Sequence, residues 1–150
     1  MRLLFLIVIC LAVTTSAGAA DFGSSIKGAD LPEKKQTTLG LYLSSADAVA
    51  ALEADPRILF LDVRDPIEVN FVGHPEPIDA IVPFMLFKLV FDKEKGSYKG
   101  VPNPDFVKNV DTVVAREGLG KSHPVFVICR SGGRSATAAK RSTGHRLAGP

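Results

Sequence analysis

The sequence predicts an α/β domain built on a central, mainly parallel sheet flanked by helices. Three observations predict it. Ile58-Leu59-Phe60-Leu61 and Pro124-Val125-Phe126-Val127-Ile128 are short apolar runs without polar alternation, as expected of strands covered on both faces. Segments with helical caps and helical spacing lie between them. Each run ends in chemically versatile residues, Asp62-Val63-Arg64-Asp65 after the first and Cys129-Arg130-Ser131-Gly132-Gly133-Arg134-Ser135 after the second. In parallel sheets, sites form at the carboxyl ends of strands, so the two segments are candidate neighbours.

The chain opens with Met1-Arg2, an unbroken apolar run from Leu3 to Val13, and small residues including Ala17-Gly18-Ala19. The run falls short of the roughly 20 residues that span a bilayer. The pattern is that of a secretory signal peptide over residues 1–19, cut after Ala19 with Ala20 as the alternative. The expected mature protein is exported, periplasmic or secreted, with no membrane span. Cleavage removes Cys10 and leaves Cys129 as the only other cysteine. With no internal disulfide available, that thiol is either reactive or paired with a partner.

Residues 20–38 are polar, with Gly23, Ser24, Ser25, Gly28, Pro32 and Lys34-Lys35, and are expected to form a flexible leader to a domain over residues 39–150. Leu39 to Leu43 predicts a short first strand. Ser44 or Ser45 caps a helix running to about Ala54, with Asp47 completing a capping box. Asp55-Pro56 stops that helix. After the Ile58–Leu61 strand, Pro66 starts a short helix to Phe71. Gly73-His74-Pro75-Glu76-Pro77 is a turn, and Asp79 to Pro83 a third short strand. Phe84 to Phe91 reads equally as a helix start or as an extended segment, with Phe84, Phe87 and Phe91 expected in the core. Asp92 to Gly100, charged and bounded by glycine, predicts a surface loop. Asn103 caps a helix starting at Pro104, in which Phe106, Val107, Val110, Val113 and Val114 fall at core-facing spacing. That helix ends near Gly118 and Gly120.

The loop after the last strand carries the chemistry. Backbone N–H groups of a glycine-containing turn can face inward as an anion nest, and the helix predicted from Ala136 adds about half a positive charge at the same point. A thiol held there is partly ionised near neutral pH, and the thiolate is the reactive form. Arg130 and Arg134 supply fork-shaped donors suited to an oxyanion. Asp62 is expected to hold local backbone and to pair with Arg64, which could border the pocket; His74 is read as a turn residue rather than a base. Nothing in the pattern asks for a metal or an organic cofactor. The net charge of +2 over 150 residues argues against nucleic acid as a partner.

Leu61-Asp62-Val63-Arg64, then Gly73-His74-Pro75, then Val127-Ile128-Cys129-Arg130-Ser131-Gly132-Gly133-Arg134-Ser135 resemble, in order and separation, the rhodanese domain family over roughly residues 40–140. The resemblance implies sulfur transfer. Cys129 would attack the outer sulfur of thiosulfate or a related sulfane donor, become a persulfide, and pass the sulfur to cyanide, a thiol or a protein acceptor. It implies substrate contacts from Arg130, Ser131, Gly132, Gly133, Arg134 and Arg64, with Asp62 and Ser135 in support.

Two other classes stay open. A persulfide carrier or docking module would use the same cysteine but turn over poorly without a partner. Cysteine-dependent phosphatases and arsenate reductases are the lesser alternative. Phosphatases of related fold place an arginine at the sixth position after the cysteine, where this chain has Ser135, with Arg134 one position earlier. The family pattern also continues past the active-site helix for a strand and a helix. Here the chain after Ala139 lacks the expected leucines, Leu147 being the one large apolar residue left. The C-terminal part is therefore expected to be incomplete, by truncation or a shifted frame near residue 140, with no closing strand.

Overall fold

The computed structural model describes residue 22, residues 24–141 and residues 146–148; the expected signal peptide lies outside them. Four strands form a parallel sheet in the order β2-β1-β5-β6, comprising β1 (Leu59–Asp62), β2 (Ala80–Ile81), β5 (Pro124–Ile128) and β6 (Arg146–Ala148). The helices are α1 (Ser45–Ala54), α2 (Pro66–Val72), α3 (Phe106–Arg116) and α4 (Gly133–Arg141). A separate antiparallel hairpin is made by β3 (Met85–Asp92) and β4 (Ser97–Pro102).

The pleat sorts the apolar runs onto two faces. Leu59 and Leu61 of β1 and Val125 and Val127 of β5 face a core completed by Phe106, Val110, Val113 and Val114 of α3 and by Ala138 and Ala139 of α4. Phe60 and Phe126 point the other way, to Leu43, Ala48, Ala51 and Leu52 on the α1 side. Both faces are therefore covered, which is why neither run alternates with polar residues. Along α3 the spacing behaves as expected except at Val107, which is exposed while Phe106, Val110, Val113 and Val114 are buried.

The caps follow the sequence. Ser44 Oγ accepts from Asp47 N and the Asp47 carboxylate accepts from Ser44 N, both at 3.1 Å. Asp65 and Glu68 form the same reciprocal box at the start of α2, with Pro66 in its first turn. At the third helix the expectation is corrected: α3 begins at Phe106 rather than Pro104, with Asp105 at its N-cap and no side-chain capping bond. Asn103 Oδ1 instead accepts from Asp105 N in the preceding turn and its Nδ2 donates to Pro83 O, tying the approach to α3 to the chain just after β2.

Several expectations are corrected. Leu39 to Leu43 forms no strand; a single bridge at Tyr42 is all the pairing it makes. The expected leader carries short 3-10 turns at Gly28–Asp30 and Glu33–Lys35. Phe22 sets its ring edge-on to Phe126 at 5.1 Å, and Ser25 Oγ donates to Asp47 at 2.6 Å. The surface loop expected at 92–100 is largely strand, because Ser97–Pro102 pairs back on Met85–Asp92. Phe84 is core, but Phe87 and Phe91 are exposed on that hairpin. The expected absence of a closing strand is also corrected. β6 pairs in parallel with β5, Leu147 opposite Val125. Such pairing draws on backbone groups that every residue carries, so a three-residue edge strand leaves no side-chain period to read.

Candidate active site

The parallel pair β1 and β5 end side by side, Asp62 opposite Ile128, and Val63 N donates to Ile128 O at 2.9 Å. The two residue clusters expected to be neighbours are therefore joined by backbone. Cys129 follows at once, 8 % exposed, and the chain turns through Gly132, at φ +85°, into α4. That left-handed backbone is costly for a side chain and free for glycine. The helix begins at Gly133 rather than Ala136, so Arg134 and Ser135 sit in its first turn.

The sulfur is cupped by this turn. Gly132 N–H donates to Cys129 Sγ at 3.2 Å and Ser135 N–H at 3.4 Å, with Ser135 Oγ at 3.5 Å. Burial pushes the thiol up. The Ser135 hydroxyl and the backbone N–H groups of Ser135, Ser131 and Gly132 outweigh it, so the group lies below its ordinary value. These donors stabilise the anion and gain nothing from the neutral thiol. The Ser135 hydroxyl has one proton and a second acceptor in reach, Gly132 O at 3.0 Å. With Cys129 as a thiol, S–H donates to Ser135 Oγ and the hydroxyl serves Gly132; with the thiolate, the hydroxyl proton is free to turn to sulfur.

Ser135→Ala removes that donor and leaves the amides. It should raise the Cys129 pKa, since the hydroxyl is a hydrogen-bond donor that favours the thiolate. The pH dependence of iodoacetamide alkylation reads it directly; an unmoved midpoint would show that the hydroxyl does not serve the thiolate.

Around the sulfur the arginines have different commitments. Arg64 is buried and gives Nε to the Asp62 carboxylate at 2.9 Å and Nη2 to Gly73 O at 2.8 Å, while Asp62 is fully buried. The Asp62–Arg64 pair expected from sequence is present, and through Gly73 it sets the 73–75 turn beside the sulfur. Arg134, expected as an oxyanion donor, pairs with a carboxylate that the sequence did not point to. Both its terminal nitrogens bind the Glu68 carboxylate, Nη2 to Oε1 at 2.8 Å. The pairing has a simple cause: in the first turn of α4 its side chain reaches back over α2, where Glu68 lies half-buried and needs a partner. Arg130 is exposed and makes no ion pair among the described residues. Ser131 enters through its backbone N–H, and Gly133 is the first residue of α4.

A cavity of about 340 Å³ opens over the sulfur, lined by Arg64, Val72, Gly73, His74, Pro75, Ile128, Cys129 and Arg130. Among the sequence-proposed residues, Cys129, Arg130 and Arg64 thus share one mouth. His74 directs Nδ1 to Pro75 O at 3.0 Å, a turn contact as expected. Among the described residues no three His, Cys, Asp or Glu side chains gather as a metal site.

Glu68 is the residue that sequence reasoning missed. Its signal was local, the Asp65-Pro66-x-Glu68 capping box; its second partner, Arg134, is far along the chain. Hydrogen bonding from the Arg134 guanidinium holds the Glu68 carboxyl below its ordinary value of 4.5. A carboxyl whose folded pKa is depressed contributes stability above its unfolded pKa and loses it as pH falls through the folded one. Stability should therefore hold level down to about pH 5 and then decline, and Glu68→Gln should flatten part of that acid limb in denaturant melts. An acid limb unchanged by the substitution would remove Glu68 from the account.

No protein-family model matches the chain, and no curated protein sequence matches it. Among the described residues no helix is long and apolar enough to cross a membrane.

Proposed function

We propose that the protein is a rhodanese-like sulfurtransferase that carries sulfane sulfur as a persulfide on Cys129. The observation that carries this reading is the turn around the sulfur, where amides of Gly132 and Ser135 and the Ser135 hydroxyl converge on one atom. The Cys129 thiolate attacks the outer sulfur of thiosulfate. An S–S bond forms to the enzyme as the S–S bond of the donor breaks, and sulfite leaves with the electron pair. The enzyme persulfide is itself an anion, and the donors that held the thiolate are placed to hold it. Cyanide or a thiolate then takes the terminal sulfur, and the Cys129 thiolate returns. No proton base is required, in keeping with the turn role of His74.

The charge arrangement supports an anionic donor. Arg130 and Arg64 border the mouth, and Arg130 has no competing carboxylate among the described residues. A phosphate cradle would need a guanidinium turned into the turn, and Arg134 is given over to Glu68; this favours sulfur over phosphoryl chemistry. The test is thiocyanate production from thiosulfate and cyanide by the purified protein. Arg130→Ala should raise KM for thiosulfate several-fold and leave kcat nearly unchanged, as loss of uniform binding does. Thiocyanate at the uncatalysed rate would refute the enzyme reading.

A further inference from the structure

The β3–β4 hairpin has an unusual surface. Its strands pair Phe87 with Gly100 and Phe91 with Tyr98, so Lys88, Leu89 and Val90 stand opposite Lys99 alone. This bulge pushes side chains outward. Leu89 is 91 % exposed, and Val90, Phe91 and Tyr98 are each more than half exposed. Exposed apolar groups gathered in this way mark an interaction surface. Lys88, Lys93 and Lys99 lie on the same hairpin, are exposed and make no ion pair among the described residues; the turn also carries an exposed Glu94, and Lys95 lies 4.0 Å from Asp92, so the lysines outnumber the carboxylates four to two. An isolated two-stranded hairpin is marginal in water. This one is tied down at its base, where Phe87 N donates to the Asp65 carboxylate at 2.8 Å.

We propose that this hairpin is a membrane-contacting element that seats its bulge at the headgroup boundary of an anionic bilayer. Three features select that occupant. Leu89, Val90 and Phe91 are consecutive and each more than half exposed, so the apolar surface follows the backbone through the bulge and is not confined to one face of a regular strand. A protein docked on one face would leave the other wet, whereas a fluid apolar boundary covers both. The lysines can extend their heads to lipid phosphates while their stems lie along the apolar groups. Tyr98, edge-on to Phe91 at 5.5 Å, has the apolar body and polar tip suited to that depth. A second copy fits poorly, because stacking two such hairpins brings unpaired lysines together. The contact would be peripheral and reversible, with no helix crossing.

The chain contains no tryptophan, so Leu89→Trp in the full chain places one reporter on the bulge. Its emission should shift to the blue, and be quenched by brominated lipid, with vesicles of phosphatidylcholine mixed with phosphatidylglycerol. Adding Lys93→Glu and Lys99→Glu should weaken that binding at least about tenfold. The proposal is overturned if the emission stays that of a water-exposed indole with these vesicles. It is equally overturned if neutral vesicles of phosphatidylcholine alone bind as well. A blue shift in buffer alone that grows with protein concentration would assign the surface to a second copy; one produced by an acidic protein and by no vesicle would assign it to a protein partner. Either would overturn the membrane assignment.

Discussion

Cys129→Ser should reduce thiocyanate formation from thiosulfate and cyanide to the uncatalysed background. Serine has nearly the same shape, and the turn donors would still be met by an oxygen, so the fold should survive with a small change in melting temperature. The nucleophile would not survive. A serine hydroxyl is far less acidic than a thiol and has no neighbouring base among the groups around Cys129; nor does oxygen offer the polarisable nucleophile needed at a sulfane sulfur. Binding should remain, because Arg130 and Arg64 are untouched. The variant should therefore still protect the cavity from modification in the presence of thiosulfate. Turnover by this variant would place the reaction somewhere other than Cys129.

Asp62→Asn should be the most destabilising of the site substitutions, at about 3–5 kcal/mol, the usual cost of leaving half of a buried ion pair. Asp62 is fully buried and Arg64 is 8 % exposed. The carboxylate accepts from Arg64 N at 2.9 Å as well as from its side chain. An asparagine keeps one acceptor and leaves the guanidinium without its counter-charge. Against a typical stability of about 5–15 kcal/mol, such a loss is a large fraction of the whole. Replacing both partners, Asp62→Leu with Arg64→Met, should cost less than the single change, because no uncompensated charge remains. Urea unfolding of the single and double variants decides it. Equal losses would mean that the pair acts through packing and not through charge.

The parts of the molecule that could be read from sequence are those whose cause is local. The β1 and β5 runs announce strands covered on both faces, since Leu61 and Val127 face one core and Phe60 and Phe126 the other. Ser44 with Asp47, and Pro66 at the head of α2, mark helix starts because their bonds close within three residues. The Cys129 turn was legible for the same reason. What stayed hidden depends on partners distant in the chain. Arg134 looked free because nothing near it in sequence shows that Glu68 will lie beneath it. The hairpin was missed because Phe87 and Phe91 look like core residues by type, and only the pairing of β3 with β4 in a sheet of its own leaves them exposed. Val107 sits at the edge of the apolar stripe of α3, where spacing alone does not separate covered from exposed.

The central claim is that one sulfur atom, held as an anion by the turn between β5 and α4, accepts another sulfur and gives it up again. Mass spectrometry of the protein after brief exposure to thiosulfate tests this most directly. The account predicts that the peptide carrying Cys129 gains the mass of one sulfur atom, and that cyanide removes it with release of an equal amount of thiocyanate. A Cys129 peptide that stays unmodified at neutral pH, in protein shown to be folded, would contradict it.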